Sequence, residues 1–298
     1  MIPALSPRAL RTRWSVQGLA RCAADAVRSD AGRGGAVAAS AVEAMGLRFA
    51  SPVLVAAGLD RHGRLLADAA ALGIGGVETG SHRPSAGGHP PLIHLAAARQ
   101  PRLQGGSRPC HGLSLLVPNA EHGAPVCRAA LLRAALAGWQ AHADYAVLNP
   151  GRSGATPAEC VELLAALAEL RDRLPRPRRL ALVAKLPAAW MTRAEAAAWA
   201  RRLVGAGADG LLVSAEGAAQ GATRDLARLL DAVGAQVCLI SVGGIDSARE
   251  AAARLAAGAR LLQIHRALLV APNAAQALLA DVAALGGRRR RRARPVSR

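Results

Sequence analysis

Eight short apolar runs, each followed by an alanine-rich amphipathic stretch, govern what this 298-residue chain can become. They read PVLVAAG (52–58), GGVETG (75–80), GLSLLV (112–117), YAVLNP (145–150), LALVAKL (180–186), GLLVSA (210–215), VCLISVGG (237–244) and RLLQIH (260–265). Runs this short and this continuously apolar suit strands buried on both faces, the condition of a parallel sheet covered by helices. The stretches between them, such as Arg61 to Leu72, Thr156 to Leu174, Thr192 to Gly205 and Ser247 to Ala257, favour helix, and several open on a Thr or Ser able to cap the first turn. Eight such units predict a single closed (β/α)8 barrel, with functional residues at the C-terminal ends of its strands. An open doubly wound sheet is the alternative, and no GxGxxG after the first strand supports it.

Two flanks and one insertion fall outside the repeat. Residues 1–44 form an Arg/Ala-rich amphipathic preamble, read as an N-terminal helical extension to a barrel over 45–285. Residues 81–111 form a Pro/Gly/His-rich excursion at a strand's C-terminal end, where barrels keep binding loops. Residues 286–298 read as a disordered tail, because five consecutive arginines repel and nothing apolar follows to dock them. That tail holds seven arginines, so the net charge of +18 falls to about +11 over the body. There the arginines are scattered singly among acids, and aromatics make up only 2% of the chain, which excludes specific nucleic-acid binding by stacking. Five scattered cysteines with no CxxC spacing point to neither a disulfide framework nor a zinc site, and suit a reducing cytoplasm. No long uncharged apolar run predicts a membrane span, and the start of the chain has no signal-peptide layout.

Some residues stand out on chemical grounds. Lys185 is the only lysine in a chain that uses arginine everywhere else, and it ends the fifth strand at the barrel mouth. Its compact ammonium offers a point charge that a guanidinium does not copy. Gly243 and Gly244 close the seventh strand and His265-Arg266 the eighth, the region where barrels commonly bind phosphate on backbone N–H groups; a tight turn would explain the glycines equally well. Asn149 ends the fourth strand ahead of a flexible Pro-Gly-Arg-Ser-Gly turn that presents Arg152 and Ser153. The histidines have no HxxH or HExxH spacing, so no metal site is expected, and Ser153 has no partner base for a nucleophilic triad.

Read as written, MGLRFASPVLVAAGLDRHGRLLADAAALGIGGVETGSHRP (45–84) resembles the opening of the class 2, quinone-type dihydroorotate dehydrogenases, MGL-F-NP-GLAAG-DK-G followed by ALGFG, E-GT and TP-P. SVGGIDSAREAAARLAAGARLLQIHRALL (241–269) is similar to that family's VGGI-S and AGA-LVQ-Y-G segments, and ADYAVLN (143–149) and LVAKLP (182–187) are similar to its strands four and five. The resemblance implies a barrel holding flavin mononucleotide (FMN), oxidising dihydroorotate and passing electrons to quinone, with an N-terminal helical pair at the membrane. On that basis 1–44 is expected to make weak membrane-surface contact, placing the protein in the cytoplasm or peripherally at the inner face of the cell membrane. Carried over residue by residue, the resemblance implies flavin contacts at Ala57, Gly58, Ser81, Asn149 and Lys185. Arg61 stands for a family lysine, Gly243 and Gly244 match the phosphate-binding glycines, and His265 with Arg266 replace a tyrosine and a small residue there.

The departures concern the substrate. The family's NRMGFNN loop reads RLQGGSRPCHG (102–112), Ser114 stands at a strand-three asparagine, and Ala215-Glu216-Gly217 replaces Asn-Thr-Thr on strand six. The N-x-S-S-P-N-T motif reads Asn149-Pro-Gly-Arg-Ser-Gly-Ala, which puts Arg152 at the serine base with Ser153 one residue along. An always-protonated guanidinium does not accept the substrate proton. The expected function is therefore a divergent, FMN-dependent, dihydroorotate dehydrogenase-like oxidoreductase of a small molecule, with weak activity on dihydroorotate. A genuine quinone-dependent dihydroorotate dehydrogenase of pyrimidine biosynthesis and a non-catalytic binding or regulatory barrel are the alternatives.

Overall fold

The computed structural model describes residues 41–66, 69, 72–84, 108–119, 125–216, 220–265, 278 and 281–282. Its centre is a closed barrel of eight parallel strands: β3 (Val53–Val55), β4 (Gly76–His82), β5 (Cys110–Leu116), β6 (Tyr145–Asn149), β7 (Ala181–Leu186), β8 (Gly210–Ser214), β9 (Cys238–Val242) and β10 (Leu261–Ile264). β10 closes the ring on β3, pairing Leu262 with Val53 and Ile264 with Val55. Each of the eight apolar runs is one of these strands.

Period-two alternation divides the apolar residues into two layers. Val53, Val55, Ala146, Leu148, Leu211 and Leu239 point outward and pack with the helices. Leu54, Tyr145, Val147, Leu212, Cys238 and Ile240 point into the barrel. Tyr145 is the largest apolar filler inside, and it fits because the neighbouring strand has Gly112 beside it: a Cβ there would stand within the tyrosine ring.

Val42–Ala44, expected to end a helical extension, is instead strand β1, paired antiparallel with β2 (Leu47–Phe49). Met45 and Gly46 both have positive φ, the backbone of a tight two-residue hairpin turn. Three-residue strands are too short for alternation to show against an alanine-rich background. Ala44, Leu47 and Phe49 join the interior cluster, so the hairpin plugs the N-terminal end of the barrel. Residues 1–40, most of the excursion and the whole arginine tail lie outside the described residues.

Six α-helices are defined among the described residues: α1 (Pro125–Trp139), α2 (Pro157–Arg171), α3 (Ala188–Met191), α4 (Ala196–Gly205), α5 (Ala222–Val233) and α6 (Ala248–Ala256). Thr156 caps α2 in a full capping box with Glu159, and Ser247 caps α6 by accepting from the Glu250 amide. Thr192 is not the cap expected of it: its hydroxyl donates back to the Ala189 carbonyl at 3.1 Å, and α4 starts at Ala196 without a side-chain cap. The expected helix over 61–72 is a set of turns at its described residues. Gly63 has φ +74°, which interrupts the helical path, and the buried Asp60 carboxylate accepts instead from the Arg64 and Leu65 amides at 3.0 and 2.7 Å.

At the opposite end from the mouth, the same device occurs twice. Asp144 and Asp209 each precede a strand and accept the amide of the strand before it, His111 and Leu182 respectively, both at 2.8 Å. Arg108 and Arg178 pair with Asp144, while Arg171 and Arg179 pair with Asp209. Several of the chain's arginines are thus spent on strand-end carboxylates.

Candidate active site

The C-terminal ends of β3, β4 and β7 to β10 surround a cavity of about 450 Å³. That is within the range of about 300 to 1,000 Å³ usual for small-molecule sites. Ala57 and Gly58 form its wall after β3, and Ser81 projects from β4. Lys185 stands on the β7 side, Gly243 and Gly244 line the turn after β9, and His265 follows β10. These seven residues, separated by up to about two hundred positions in sequence, line one cavity.

Backbone conformation explains the glycine turn. Gly243 has φ +95°, and a Cβ on it would come within 2.8 Å of the Glu216 amide nitrogen, so the turn after β9 lies directly against the chain leaving β8. From behind, the fully buried Arg254 of α6 holds the same turn. Its guanidinium donates to Ser241 Oγ at 2.9 Å, to the Gly243 carbonyl at 3.3 Å and to Glu250 at 2.5 Å.

Four expected residues are placed elsewhere, and one is not described. Asn149 is buried beside the cavity, where its amide donates to Ser81 Oγ at 2.9 Å and to Ser114 Oγ at 3.4 Å, and its oxygen accepts from the Gly151 amide at 3.0 Å. It therefore orients Ser81, which does line the cavity. Arg61 is exposed, outside the lining. Arg152 is exposed on its turn and lines no cavity, and Ser153 is nearly buried with its hydroxyl accepting from the Ala155 amide at 3.2 Å. Arg266 lies outside the described residues.

Sequence reading missed the polar floor. Glu78 points into the barrel, fully buried, and accepts a hydrogen bond from the Gln263 side-chain amide. Burial pushes its carboxyl up to about 7, opposed by the Gln263 bond, the Lys185 charge and a bond from Ser114. The signal was present: a lone carboxylate within GGVETG, flanked at period two by Gly76 and Gly80, is an inward-facing acid in a strand with no solvent side. Glu216 and Asp246 add two carboxylates at the rim. Among the described residues, no cluster of His, Cys, Asp or Glu is arranged to hold a metal ion, and no helix is long and apolar enough to cross a membrane.

The site thus combines one ammonium, a carboxyl poised near neutrality, apolar walls and an open backbone turn. In size and lining the cavity suits a flat polar molecule with an anionic end.

No protein-family model matches the chain. Among curated proteins, the dihydroorotate dehydrogenase (quinone) of Alkalilimnicola ehrlichii is 30% identical over 270 residues, covering 74% of this chain and 79% of that protein. The protein of the same name from Clavibacter michiganensis is 30% identical, covering 77% and 80%. In fold, the crystal structure of Eimeria tenella DHODH in complex with ferulenol superposes with a TM-score of 0.71 at 16% identity, over 97% of this chain and 94% of that one. The eight-stranded barrel, its mouth cavity and this ordered similarity along most of the chain together make it a divergent member of the dihydroorotate dehydrogenase (quinone) family, a dihydroorotate dehydrogenase-like oxidoreductase.

Proposed function

We propose that the chain is an FMN-dependent oxidoreductase whose flavin occupies the mouth cavity and whose preferred substrate is a small molecule other than dihydroorotate. The observation that carries this reading is that the chain's only lysine, Lys185, shares one cavity with the Gly243-Gly244 turn. The residues fit the cofactor. Ala56, Ala57, Leu212 and Val242 offer apolar surface for a ring, and the glycine turn lets backbone N–H groups approach a phosphate. Glu216 and Asp246 are acceptors suited to ribityl hydroxyls. When bound, the flavin supplies a two-electron acceptor.

The protein's own groups then divide the remaining work. Lys185 would balance negative charge on a flavin held there, and Glu78, lining the same cavity, would hold or release a proton near neutral pH. Asn149 fixes Ser81, while the apolar wall excludes water. The base position is where this chain parts from efficient dihydroorotate oxidation, because Arg152 is exposed and Ser153 is committed to its own turn. Quinone as electron acceptor and peripheral contact of 1–44 with the inner face of the cell membrane belong to the same proposal, resting on the relatives' name. So does the division into an extension (1–44), a barrel (45–285) and a tail (286–298).

Purified protein tests the reading directly. Absorbance at the flavin bands with near one FMN per chain is the expected result. Colourless protein that takes up no FMN on titration would leave the barrel as a binding or regulatory protein.

A further inference from the structure

A second, smaller concavity of about 220 Å³ adjoins the mouth cavity, and Ser214 and Ala215 line both. Its outer wall is the first two turns of α5, with Gln220, Arg224, Asp225 and Arg228. Where the family resemblance expects an asparagine, this chain has Ala215, which places only a methyl group between the two spaces.

The lining is unusually rich in unspent donors. Among the described residues Arg224 has no ion-pair or hydrogen-bond partner, and its Nη2 lies over the start of α5, 3.2 Å from where a Cβ on Gly221 would stand. Arg228 donates through Nη2 to the Met191 carbonyl at 2.7 Å, but its Nε is buried with no partner. A buried donor left unpaired is destabilising, and an acceptor that reaches it relieves that cost. Asp225 sits 3.8 Å from Arg228, too far for a hydrogen bond, and offsets one of the two positive charges. One net positive charge remains. The start of α5 adds to it, since Gly221 at the N-cap makes no side-chain cap bond to the first-turn amides.

We infer that this pocket binds an anionic group, carboxylate or phosphate, carried by the substrate at its end remote from the reacting centre, with Arg224 and Arg228 as the specificity-determining residues. The inference deepens the proposed function and rests on its placement of the flavin. A substrate lying over Lys185 would pass Ser214 and Ala215 to place its anionic end between the two guanidinium groups.

The test uses the full chain saturated with FMN and two probes, inorganic phosphate and terephthalate, a flat dicarboxylate able to perturb the flavin absorption band. Melting temperature and the flavin band are read together in wild type, Arg224→Gln, Arg228→Gln and Arg224→Lys. Saturable binding of both probes is expected, with terephthalate shifting the flavin band. Either glutamine variant should weaken both by tenfold or more, and Arg224→Lys should recover part of the loss. Arg224 is exposed, so its glutamine variant reports even where Arg228→Gln fails to fold. Unchanged probe affinity in folded Arg224→Gln, or no saturable binding to wild type, would overturn the pocket. Phosphate binding without any terephthalate effect on the flavin band would make it a site for free anions and overturn the assignment to substrate. Should the chain take up no flavin, the melting-temperature titration still reads the arginines: arginine-dependent stabilisation would then keep the anion pocket while the proposed function fails.

Discussion

Arg254, with no solvent exposure, donates from Nη1 to Ser241 Oγ at 2.9 Å and so ties α6 to the end of β9, beneath the turn that faces the cavity. A guanidinium this deep is stabilising only because Glu250, Ser241 and the Gly243 carbonyl take up its donors. Replacing it by Leu removes the cation and leaves Glu250 unpaired. Because the Glu250 side chain keeps 24% of its exposure, water compensates part of the loss. Arg254→Leu should lower stability by about 2 to 3 kcal/mol in urea unfolding. An unchanged midpoint would show that the turn is held without it.

The pH dependence of stability should carry the signature of Glu78. Its carboxyl is raised from 4.5 in the unfolded chain to about 7 in the folded one, chiefly by burial. The native state therefore keeps a proton that the unfolded state releases. Stability from this group is full below about pH 4.5 and is lost as pH rises through 7, by about 3 kcal/mol in all. Glu78→Gln mimics the protonated form, so the variant should gain on wild type from pH 5 to about pH 7 and level off above it. Parallel stability curves for the two proteins would mean that Glu78 does not titrate in this window.

His82 should act with the opposite sign. Burial lowers its imidazole from 6.5 to about 4, with the nearby Arg61 charge adding to the effect. The unfolded chain takes up a proton that the native state refuses, so stability is lost as pH falls from 6.5 through 4. His82→Phe, which keeps a ring against Trp139, should flatten the acid limb of the stability curve. An acid limb as steep as that of wild type would locate the loss in other groups.

Inside the barrel, Tyr145 and Gly112 make a complementary pair with one flaw. The ring fills the space that glycine leaves, yet its hydroxyl is buried with no hydrogen-bond partner. Tyr145→Phe should therefore be neutral or stabilising by about 1 kcal/mol, since it removes an unsatisfied donor and little volume. Gly112→Ala should destabilise by about 3 kcal/mol through overpacking. Chemical denaturation of the two variants side by side reads both signs, and a destabilised Tyr145→Phe would reveal a partner for the hydroxyl.

Short, nearly continuous apolar runs made all eight barrel strands legible, because burial on both faces leaves a sequence no polar side to show. The glycines of the mouth were legible too, since Gly243 must adopt a backbone that other residues rarely take. The hairpin plug was not legible, being two strands of three residues with only Val42, Ala44, Leu47 and Phe49 to mark it. Arg254 was invisible for a different reason. On an amphipathic arginine-bearing helix it reads as one more solvated charge, and only the tertiary fold shows that it points inward to Ser241. The same ambiguity hid Arg224 and Arg228.

The last expectation concerns the reaction. Dihydroorotate should reduce the bound flavin far more slowly than family membership suggests, because no base from the β6 turn reaches the cavity. Arg152 is exposed and lines no cavity, and the Ser153 hydroxyl accepts from the Ala155 amide within its own turn. General-base catalysis contributes about 10² to 10⁴-fold, so its absence alone is enough to push turnover below detection in a coupled assay. Arg152→Ser should not restore the rate, since Ser114 and Asn149 bond to each other and to Ser81, and Ala215 offers no polar group to hold a pyrimidine. Anaerobic bleaching of the flavin band on adding dihydroorotate reads this step without any assumption about the electron acceptor. Complete bleaching within seconds at sub-millimolar substrate would establish an ordinary dihydroorotate dehydrogenase, one that draws its base from outside the described residues.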